Sequence, residues 1–224
     1  MNELDRNKKI IGEEAAKYIK NGMTVGLGSG STVYWMLKKL GERVEEGLDV
    51  KGIPTSKKTE RLAKEFHIPL LEFSDIQQID LAIDGADEVD EHLNLLKGGG
   101  GSLVREKIVD AEAKQLIIIA DESKLVLHLG TFYLPVEVVP FGWEVTASRI
   151  AKLGGSTTLR ETNNHVFVSD NGNYILDCDF GQIKEPATLH EKLKLLVGVV
   201  ETGLFVGMTT NVISTKNGKL IKLA

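Results

Sequence analysis

Short apolar segments alternate with amphipathic ones through roughly the first 125 residues, and this alternation limits the fold more than any other feature. Met23–Leu27 and Leu116–Ala120 are apolar runs of strand length, and segments with helical spacing follow the strands. The first predicted helix covers Ile10–Ile19, and the helix after Met23–Leu27 is expected to end at Gly41. Repeated strand–helix alternation favours a parallel sheet with helices on its faces. We therefore expect an α/β fold whose main sheet is open, mostly parallel and Rossmann-like.

Four of the predicted strands lead directly into polar or charged loops. These loops are Gly28–Thr32, Pro54–Thr59, Asp84–Glu88 and Asp121–Lys124. In an open parallel sheet, the loops after the strands lie at one edge, which is where such sheets bind ligands. The sequence therefore predicts one ligand site to which these loops contribute.

The pattern changes after about Phe132. The remaining segments read β-α-β-β-α-β, which is typical of a small split-βαβ, ferredoxin-like α+β domain. The predicted strands of this part include Tyr174–Asp179 and a final one over Val199–Phe205. A terminal hairpin around Asn217-Gly218 is expected to rejoin the first sheet. The predicted domains are residues 1–130 plus 206–224, and residues 131–205.

The composition of the chain limits the classes of partner that it is expected to bind and the cellular compartment in which it is expected to work. The chain has 224 residues and a formal net charge of −5, which argues against nucleic acid because nucleic-acid binders usually carry a basic face. A single cysteine, Cys178, suits a reducing compartment, and the charged segment Met1–Lys9 precedes no apolar signal core. No apolar run is long enough to span a bilayer. We expect a cytoplasmic protein without a membrane or nucleic-acid partner.

Gly28–Thr32 joins a predicted strand to a predicted helix. Free N–H groups and a partial positive charge at a helix N-terminus suit phosphate, although the motif lacks the lysine of a P-loop. A tight turn capped by hydroxyls is the alternative. Together with the other three loops, the motif favours phosphate.

The segment from Asp84 to Lys107 carries the groups needed to move protons. Asp84 and Asp87 are three residues apart, Lys97 precedes four glycines, and Glu106 falls in the first turn of the next predicted helix. Carboxylates beside a lysine can transfer protons and stabilise a developing negative charge. The alternatives are helix caps for the aspartates and a surface glutamate stabilising the helix dipole.

Other charged residues are weaker candidates. Glu88, Asp90 and Glu91 are expected to form a solvated acidic face, and Lys124 is either a phosphate or sugar ligand or a surface lysine. The five histidines show no paired ligand spacing, so no metal site is predicted.

At these residues the chain resembles the type A family of ribose-5-phosphate isomerases. The matching segments are Gly26–Thr32, Asp84–Glu88, Lys97–Gly100, Arg105–Lys107, Ala120–Lys124, Leu134–Val138 and Leu153–Gly155. Ser29 stands where many members have threonine, which keeps the hydroxyl. The resemblance runs nearly end to end and rests on motifs in the same order.

The resemblance implies an enzyme that interconverts ribose 5-phosphate and ribulose 5-phosphate without a metal or cofactor, as a homodimer. Glu106 would be the base moving a proton between C2 and C1, Lys97 would stabilise the enediolate, and Asp84 with Asp87 would serve ring opening and proton traffic between the oxygens. The implied substrate-binding residues are Ser29, Gly30, Ser31, Thr32, Asp84, Gly85, Ala86, Asp87, Lys97, Gly98, Gly99, Gly100, Lys124 and, more weakly, Lys8.

Three other functions remain as alternatives. A sugar-phosphate sensor of a transcriptional regulator would need a DNA-binding segment, and the first predicted strand already begins by Met23. A coenzyme A transferase-like enzyme would need a glutamate nucleophile and room for the coenzyme. A nicotinamide dehydrogenase is disfavoured by the broken glycine fingerprint.

Overall fold

A computed structural model describes residues 3–224. These residues fold into two compact units. Unit 1 comprises residues up to 86, residues 105–125 and residues 208–224, and unit 2 comprises residues 87–104 and 126–207. Residues 87–104 belong to unit 2, although the sequence assigned them to the larger domain. The predicted domain boundaries stay a prediction.

The elements are numbered in chain order. The helices are α1 (Glu3–Ala16), α2 (Ser31–Glu45), α3 (Lys57–Glu65), α4 (Leu103–Glu112), α5 (Trp143–Ala151) and α6 (Pro186–Lys194). The strands are β1 (Met23–Leu27), β2 (Val50–Pro54), β3 (Leu81–Asp84), β4 (Glu88–Val89), β5 (Leu95–Leu96), β6 (Leu116–Ile119), β7 (Leu134–Val138), β8 (Ser156–Leu159), β9 (Glu161–Thr162), β10 (His165–Val166), β11 (Tyr174–Asp179), β12 (Val199–Thr202), β13 (Leu204–Phe205), β14 (Asn211–Lys216) and β15 (Lys219–Leu223).

Unit 1 is built on a six-stranded sheet in the order β15-β14-β6-β3-β1-β2. All neighbouring pairs are parallel except β14 with β15, which form the terminal hairpin. The predicted mostly parallel sheet is confirmed, and so is the return of the C-terminal hairpin to it. The loops after β1, β2, β3 and β6 leave the same edge of this sheet, as predicted.

The strands of unit 1 are apolar because helices cover the sheet. Every residue of β3 and β6 is buried, as expected for parallel strands shielded on both faces. The main core joins helix residues such as Ile11 and Leu37 to strand residues such as Leu27 and Ile83. Burial of these apolar side chains is the main stabilising contribution to the unit.

Two helix boundaries differ from the sequence prediction. Helix α1 begins at Glu3 rather than near Ile10, with acidic residues in its first turn, where the helix dipole favours them. Helix α2 continues past Gly41, where we expected it to end. A Cβ on Gly41 would lie 2.6 Å from the carbonyl oxygen of Phe66, so this glycine permits close packing and does not end the helix.

Unit 2 contains a four-stranded antiparallel sheet in the order β12-β7-β11-β8, with α5 and α6 in the connections. Its core combines strand residues such as Val136 and Leu176 with helix residues such as Ile150 and Leu193. Strand β11 spans Tyr174–Asp179, the range predicted from the sequence.

A second sheet of unit 2, β13-β5-β4, was not predicted. The expected single strand over Val199–Phe205 is wrong, because Gly203 separates β12 from β13 and each pairs in a different sheet. Gly203 donates its N–H to the Pro135 carbonyl at 2.7 Å, and its own carbonyl accepts from the Lys97 N–H at 2.8 Å. Its hydrogen bonds thus link β7 of the four-stranded sheet to the residue that follows β5 of the second sheet.

The longest helix, α2, has 15 residues, whereas a membrane-spanning helix needs about 20. Within residues 3–224 no helix has both the length and the apolar character needed to cross a bilayer.

Candidate active site

In unit 1, Ser29 lies at the centre of a cluster of hydroxyl groups beyond the ends of β1 and β2. Its Oγ is 3.0 Å from Thr55 Oγ1, 2.8 Å from Ser56 Oγ and 2.9 Å from Thr59 Oγ1. Thr59 Oγ1 also donates to the carbonyl of Gly28 at 2.8 Å. The cluster therefore ties the first two loops of this edge together.

The sequence prediction named the loop containing Thr55, Ser56 and Thr59 but assigned no role to these three residues. All three are buried. Their concentration of hydroxyl groups directly after β2 is the signal that would have identified them. Ser56 also caps α3 by accepting a hydrogen bond from the Thr59 N–H at 3.0 Å.

The N-terminus of α2 has the features of an anion-binding position. Gly30 precedes the helix with φ of +127°, Ser31 begins it exposed, and Thr32 is buried in its first turn. The first turn contains no acidic residue. Its unpaired amide groups and helix dipole suit a phosphate group.

Asp84 ends β3 and is fully buried. Its Oδ1 accepts hydrogen bonds from the N–H groups of Ser29 at 2.8 Å and Gly85 at 2.6 Å. A Cβ at Gly28 would lie 2.2 Å from the same oxygen, so a glycine is required beside the carboxylate. The hydrogen bonds from these two backbone amides fix the orientation of the carboxylate. Gly85 and Ala86, half-buried, continue this loop.

Glu106 occupies the first turn of α4 and is only 6% exposed. The helix packs on the sheet, since a Cβ at Gly26 of β1 would lie 2.6 Å from Val109 of this helix. Glu106 is buried, which contradicts the alternative of a surface glutamate.

The two remaining basic candidates of unit 1 are half-buried. Lys124 ends a short 3-10 turn after β6, and Asp121 caps this turn by accepting from the Ser123 N–H at 3.1 Å. Lys124 thus lies in the loop after β6, at the same edge of the sheet as the loops after β1, β2 and β3. Lys8 lies in α1.

In unit 2, Lys97 follows β5 and is almost completely buried, with 2% of its surface exposed. Its Nζ lies 5.2 Å from the centre of the Phe205 ring, a cation–π distance. Its backbone N–H is bound to the Gly203 carbonyl. Burying a lysine is costly unless its ammonium group is paired or otherwise compensated, which makes Lys97 a candidate functional residue.

The glycine run after Lys97 is held by Asp87. The N–H of Gly99 donates to Asp87 Oδ2 at 2.7 Å. Gly98 is buried with φ of +106°, whereas Gly99 and Gly100 are exposed. The carboxylate and the exposed backbone amides of the run therefore lie beside each other.

The predicted solvated acidic face is wrong for two of its members, because Glu88 and Asp90 are buried. The two carboxylate oxygens of Glu88 accept from the N–H groups of Gly130 and Phe132, each at 2.6 Å. Asp90 accepts from the N–H groups of His92 and Asn94 at 2.9 and 2.8 Å. Both carboxylates order backbone segments of unit 2.

The structure thus brings together Ser29, Asp84 and Gly85 in unit 1, and Asp87 with Gly99 in unit 2. Unit 1 thus carries buried carboxylates and a helix N-terminus suited to an anion, and unit 2 carries a buried ammonium group and a positioned carboxylate; groups of these kinds serve proton transfer on anionic substrates. Across residues 3–224, no group of three or more His, Cys, Asp or Glu side chains is placed to hold a metal ion.

Comparison with known proteins identifies the family. The family model for ribose 5-phosphate isomerase A (phosphoriboisomerase A) matches residues 51–219. A ribose-5-phosphate isomerase A of Bacillus cereus (strain ATCC 10987) is 60% identical over 213 residues, covering 94% of this chain and 97% of the relative.

Solved structures agree with this assignment. The ribose 5-phosphate isomerase of Plasmodium falciparum matches with a TM-score of 0.95 at 40% identity, covering 98% of each chain. A D-ribose-5-phosphate isomerase solved in complex with phospho-erythronic acid matches with a TM-score of 0.95 at 38% identity, covering 100% of this chain and 99% of that one. The chain belongs to the ribose 5-phosphate isomerase A family.

Proposed function

We propose that this chain interconverts D-ribose 5-phosphate and D-ribulose 5-phosphate, as an aldose–ketose isomerase of the pentose phosphate pathway. The observation that carries the proposal is the identity of up to 60% to ribose-5-phosphate isomerases A along 94% of the chain. Buried acid–base groups of the kinds that this reaction needs support the proposal.

The reaction moves one proton between C2 and C1 through an enediolate. We assign Glu106 as the base that takes this proton, since a carboxylate is a suitable proton carrier and this one is shielded from water. We assign Lys97 as the group that stabilises the enediolate oxygens. Its buried ammonium acts in a medium of low dielectric constant, where a positive charge stabilises a developing anion strongly.

Asp84 and Asp87 are assigned to ring opening and to proton traffic between O1 and O2. The two backbone N–H groups that bind Asp84 Oδ1 support this role, because they fix the carboxylate in one orientation. Asp87 is fixed in the same way by the Gly99 N–H. Positioned carboxylates transfer protons efficiently only when their geometry is maintained.

The phosphate and hydroxyl groups of the substrate need hydrogen-bond donors from the protein. We assign the phosphate to the N-terminus of α2 with Ser29–Thr32, helped by Lys124 and, more weakly, Lys8. The absence of acidic residues from the first turn of α2 supports this assignment. Gly85, Ala86 and the backbone of Gly98–Gly100, which is exposed at Gly99 and Gly100, are assigned to the sugar.

Phospho-erythronic acid, the compound bound in one of the related structures, combines a phosphate with a planar carboxylate. A planar pair of oxygens resembles the enediolate more than the hydroxy-carbonyl substrate. We therefore expect this compound to inhibit this chain competitively, because groups that stabilise an enediolate bind its mimics more tightly than the substrate.

The direct test is an assay of the purified chain on ribose 5-phosphate, before and after exhaustive treatment with EDTA. We expect isomerisation in both cases, because the Lys97 ammonium supplies a positive charge at the reacting oxygens. Loss of activity on chelation with recovery on adding a divalent ion would contradict the metal-free assignment, and no activity under either condition would contradict the proposed function.

Turnover in D₂O tests the proton-transfer route. A hydrogen carried by the Glu106 carboxyl group can exchange with solvent whenever the site opens, so some deuterium should appear on C1 of ribulose 5-phosphate or C2 of ribose 5-phosphate. A hydride shift would keep the hydrogen on carbon. Complete retention of hydrogen combined with a metal requirement would exclude the enediolate route.

Two alternatives are separable by simple measurements. A sugar-phosphate sensor module would bind ribose 5-phosphate without converting it, so binding by calorimetry without turnover would favour it. A coenzyme A transferase-like enzyme would exchange thioesters, and a thioester-exchange assay distinguishes it. The buried lysine before a glycine run favours the isomerase over both.

We further assign unit 1 to the Rossmann-like class and the four-stranded part of unit 2 to the split-βαβ, ferredoxin-like class. The β-α-β-β-α-β chain order and the sheet order β12-β7-β11-β8 support the second assignment. The single, buried Cys178 fits the proposed cytoplasmic location, where thiols stay reduced.

We propose a homodimer as the working assembly. Unit 2 exposes a patch of apolar side chains at one end: Val139, Phe141, Val145, Leu195 and Val197. The two segments that contribute them are joined by the hydrogen bond from the Val139 N–H to the Gly198 carbonyl at 2.9 Å. Exposed apolar patches mark association sites, and two-fold dimers are the commonest assembly.

A further inference from the structure

The glycine run of Gly98–Gly101 has no side chains of its own, so its neighbours must fix its backbone. Gly98 and Gly101 have φ of +106° and +79°. Glycine loses more conformational freedom on folding than any other residue, so an unsupported run would sample many conformations. Under the proposed function the run lies next to the enediolate-stabilising Lys97, and its conformation therefore bears on catalysis.

Arg160 holds the run on its carbonyl side. Its Nη1 donates to the carbonyls of Gly98 at 2.8 Å and Gly99 at 3.3 Å, whereas the Gly99 N–H donates to Asp87. The Gly98 carbonyl and the Gly99 N–H belong to one trans peptide and point in opposite directions. The Arg160 guanidinium and the Asp87 carboxylate therefore bind this peptide from opposite sides. The next peptide is also planar and its Gly99 carbonyl accepts from Arg160, so the Gly100 N–H points away from Arg160.

Arg160 is itself held rigidly. Its Nε donates to Asp177 Oδ2 at 2.9 Å, its Nη2 donates to Asp177 Oδ1, and its guanidinium lies 5.8 Å from the centre of the Phe167 ring. Only 12% of its side chain is exposed. Asp177 belongs to β11, which pairs with strands on both sides. A bidentate pair anchored in a sheet leaves the guanidinium one orientation.

We propose that Arg160, held by Asp177, is a positioning residue that fixes the glycine run beside Lys97 and thereby sets kcat. Asp177 neutralises the guanidinium, and two of its nitrogens are bound to that carboxylate. Arg160 therefore acts through the backbone of the glycine run and does not serve as a ligand for the substrate's anionic groups. The inference rests on the proposed isomerase function, which the assay of the unmodified chain tests separately.

Two variants test this role. Arg160→Lys keeps the charge but loses the planar fork of donors. The double variant Arg160→Met with Asp177→Leu removes both charges together, so that no partly buried carboxylate loses its partner. We expect kcat to fall about 10- to 100-fold in both, as for a small misplacement of catalytic groups. KM should change less than about threefold, because the loss concerns the transition state.

The controls separate positioning from stability. Arg149→Lys, on the exposed surface of the same unit, should retain the original kcat, and thermal unfolding should show every variant folded at the assay temperature. Arg160→Ala should regain part of its kcat when ethylguanidinium is added at millimolar concentration. A cavity of about 410 Å³ lined by Arg160, Asp177 and Gly99 gives this small cation access.

Three outcomes would overturn the proposal. The first is a folded double variant with the original kcat. The second is an activity loss in Arg160→Ala that follows the unfolded fraction and is not restored by ethylguanidinium. The third is failure of every variant to fold, which would assign the pair a structural role only. Rescue by ethylguanidinium together with an intact fold would establish the positioning role.

Discussion

At the scale of single residues, the burial of charged groups is the strongest indication of function. Lys97 and Glu106 are 2% and 6% exposed, and Asp84 is fully buried. Charged side chains are rarely buried to this extent unless they are paired or used in chemistry. Their roles stay proposals, and substitutions that preserve shape test them most directly.

Glu106→Gln removes the proposed base while keeping the shape of the side chain. We expect kcat to fall by at least about 10²–10⁴-fold, the usual contribution of a positioned base, with KM and the midpoint of urea unfolding little changed. Glu112→Gln, at the exposed end of the same helix, is the matched control and should retain full activity. Near-original kcat in Glu106→Gln would remove this residue from the mechanism.

Lys97→Met removes the ammonium group but keeps an apolar stem against Phe205. We expect kcat to fall more than KM rises, because the negative charge that Lys97 stabilises develops only after the proton has left carbon. Steady-state kinetics beside an exposed control, Lys219→Met, measures the difference. An increase in KM at constant kcat would instead make Lys97 a substrate ligand.

Cys178 provides a test of burial in unit 2. Burial raises the pKa of its thiol well above the usual range, with the charge of Asp177 adding to the effect. The thiol therefore stays protonated at neutral and mildly alkaline pH, and only a thiolate reacts quickly. We expect labelling by a disulfide reagent to occur only after unfolding in urea. Rapid stoichiometric labelling of the native protein would show that β11 is accessible.

At the scale of elements, the close approach of the residue after β1 to the end of β3 requires a glycine at position 28. In Gly28→Ala, the new Cβ would lie 2.2 Å from Asp84 Oδ1 and 2.5 Å from Asp84 Cα, so the backbone must shift. We expect a loss of about 1–3 kcal/mol in the free energy of unfolding, as for overpacked cores. Since Asp84 moves, kcat should fall as well.

The matched control for this change is Gly22→Ala, just before the other end of β1. Gly22 has φ of +79° but open space around it, so the substitution strains the backbone by about 1–2 kcal/mol without displacing Asp84. Urea unfolding and kcat together separate the two effects. Equal loss of kcat in both variants would mean that stability, and not the position of Asp84, limits activity.

Regular elements were predictable where local pattern and tertiary context agree. Met23–Leu27 and Tyr174–Asp179 were predicted with the boundaries that the structure has, because their apolar residues fit a strand. Gly41 and Gly203 misled the prediction. Their roles are a close approach to Phe66 and a junction between two sheets, and neither contact is encoded in neighbouring residues. The two-residue strands β4 and β5 are too short to show any periodicity.

The candidate site, like the fold, has features that the sequence predicted and features that it did not. The order of strands and loops predicted that polar loops would share one edge of the sheet, and the parallel order of β1, β2, β3 and β6 confirms this. The burial of Glu88 could not be predicted, since its partners Gly130 and Phe132 lie 42 and 44 residues further along the chain. Likewise, the partners of Arg160 in the glycine run precede it by 61 and 62 residues.

At the scale of the whole molecule, the proposed homodimer should depend on the apolar patch of unit 2. Phe141, Leu195 and Val197 are 94%, 82% and 79% exposed, although large apolar side chains usually avoid water. A stable two-fold interface buries about 800 Å² on each partner, and a charge at its centre is desolvated without a partner. Phe141→Asp should therefore shift the assembly from dimer to monomer.

Light scattering at micromolar concentration measures this shift. The unmodified chain should have twice the mass of one chain, and Phe141→Asp should approach the mass of one. Phe73→Asp, which changes a half-exposed phenylalanine of unit 1, is the matched control and should remain dimeric. A monomeric unmodified chain would contradict the homodimer. A dimer that persists in Phe141→Asp would place the interface elsewhere, because burying an unpaired aspartate strongly destabilises a contact between two apolar patches.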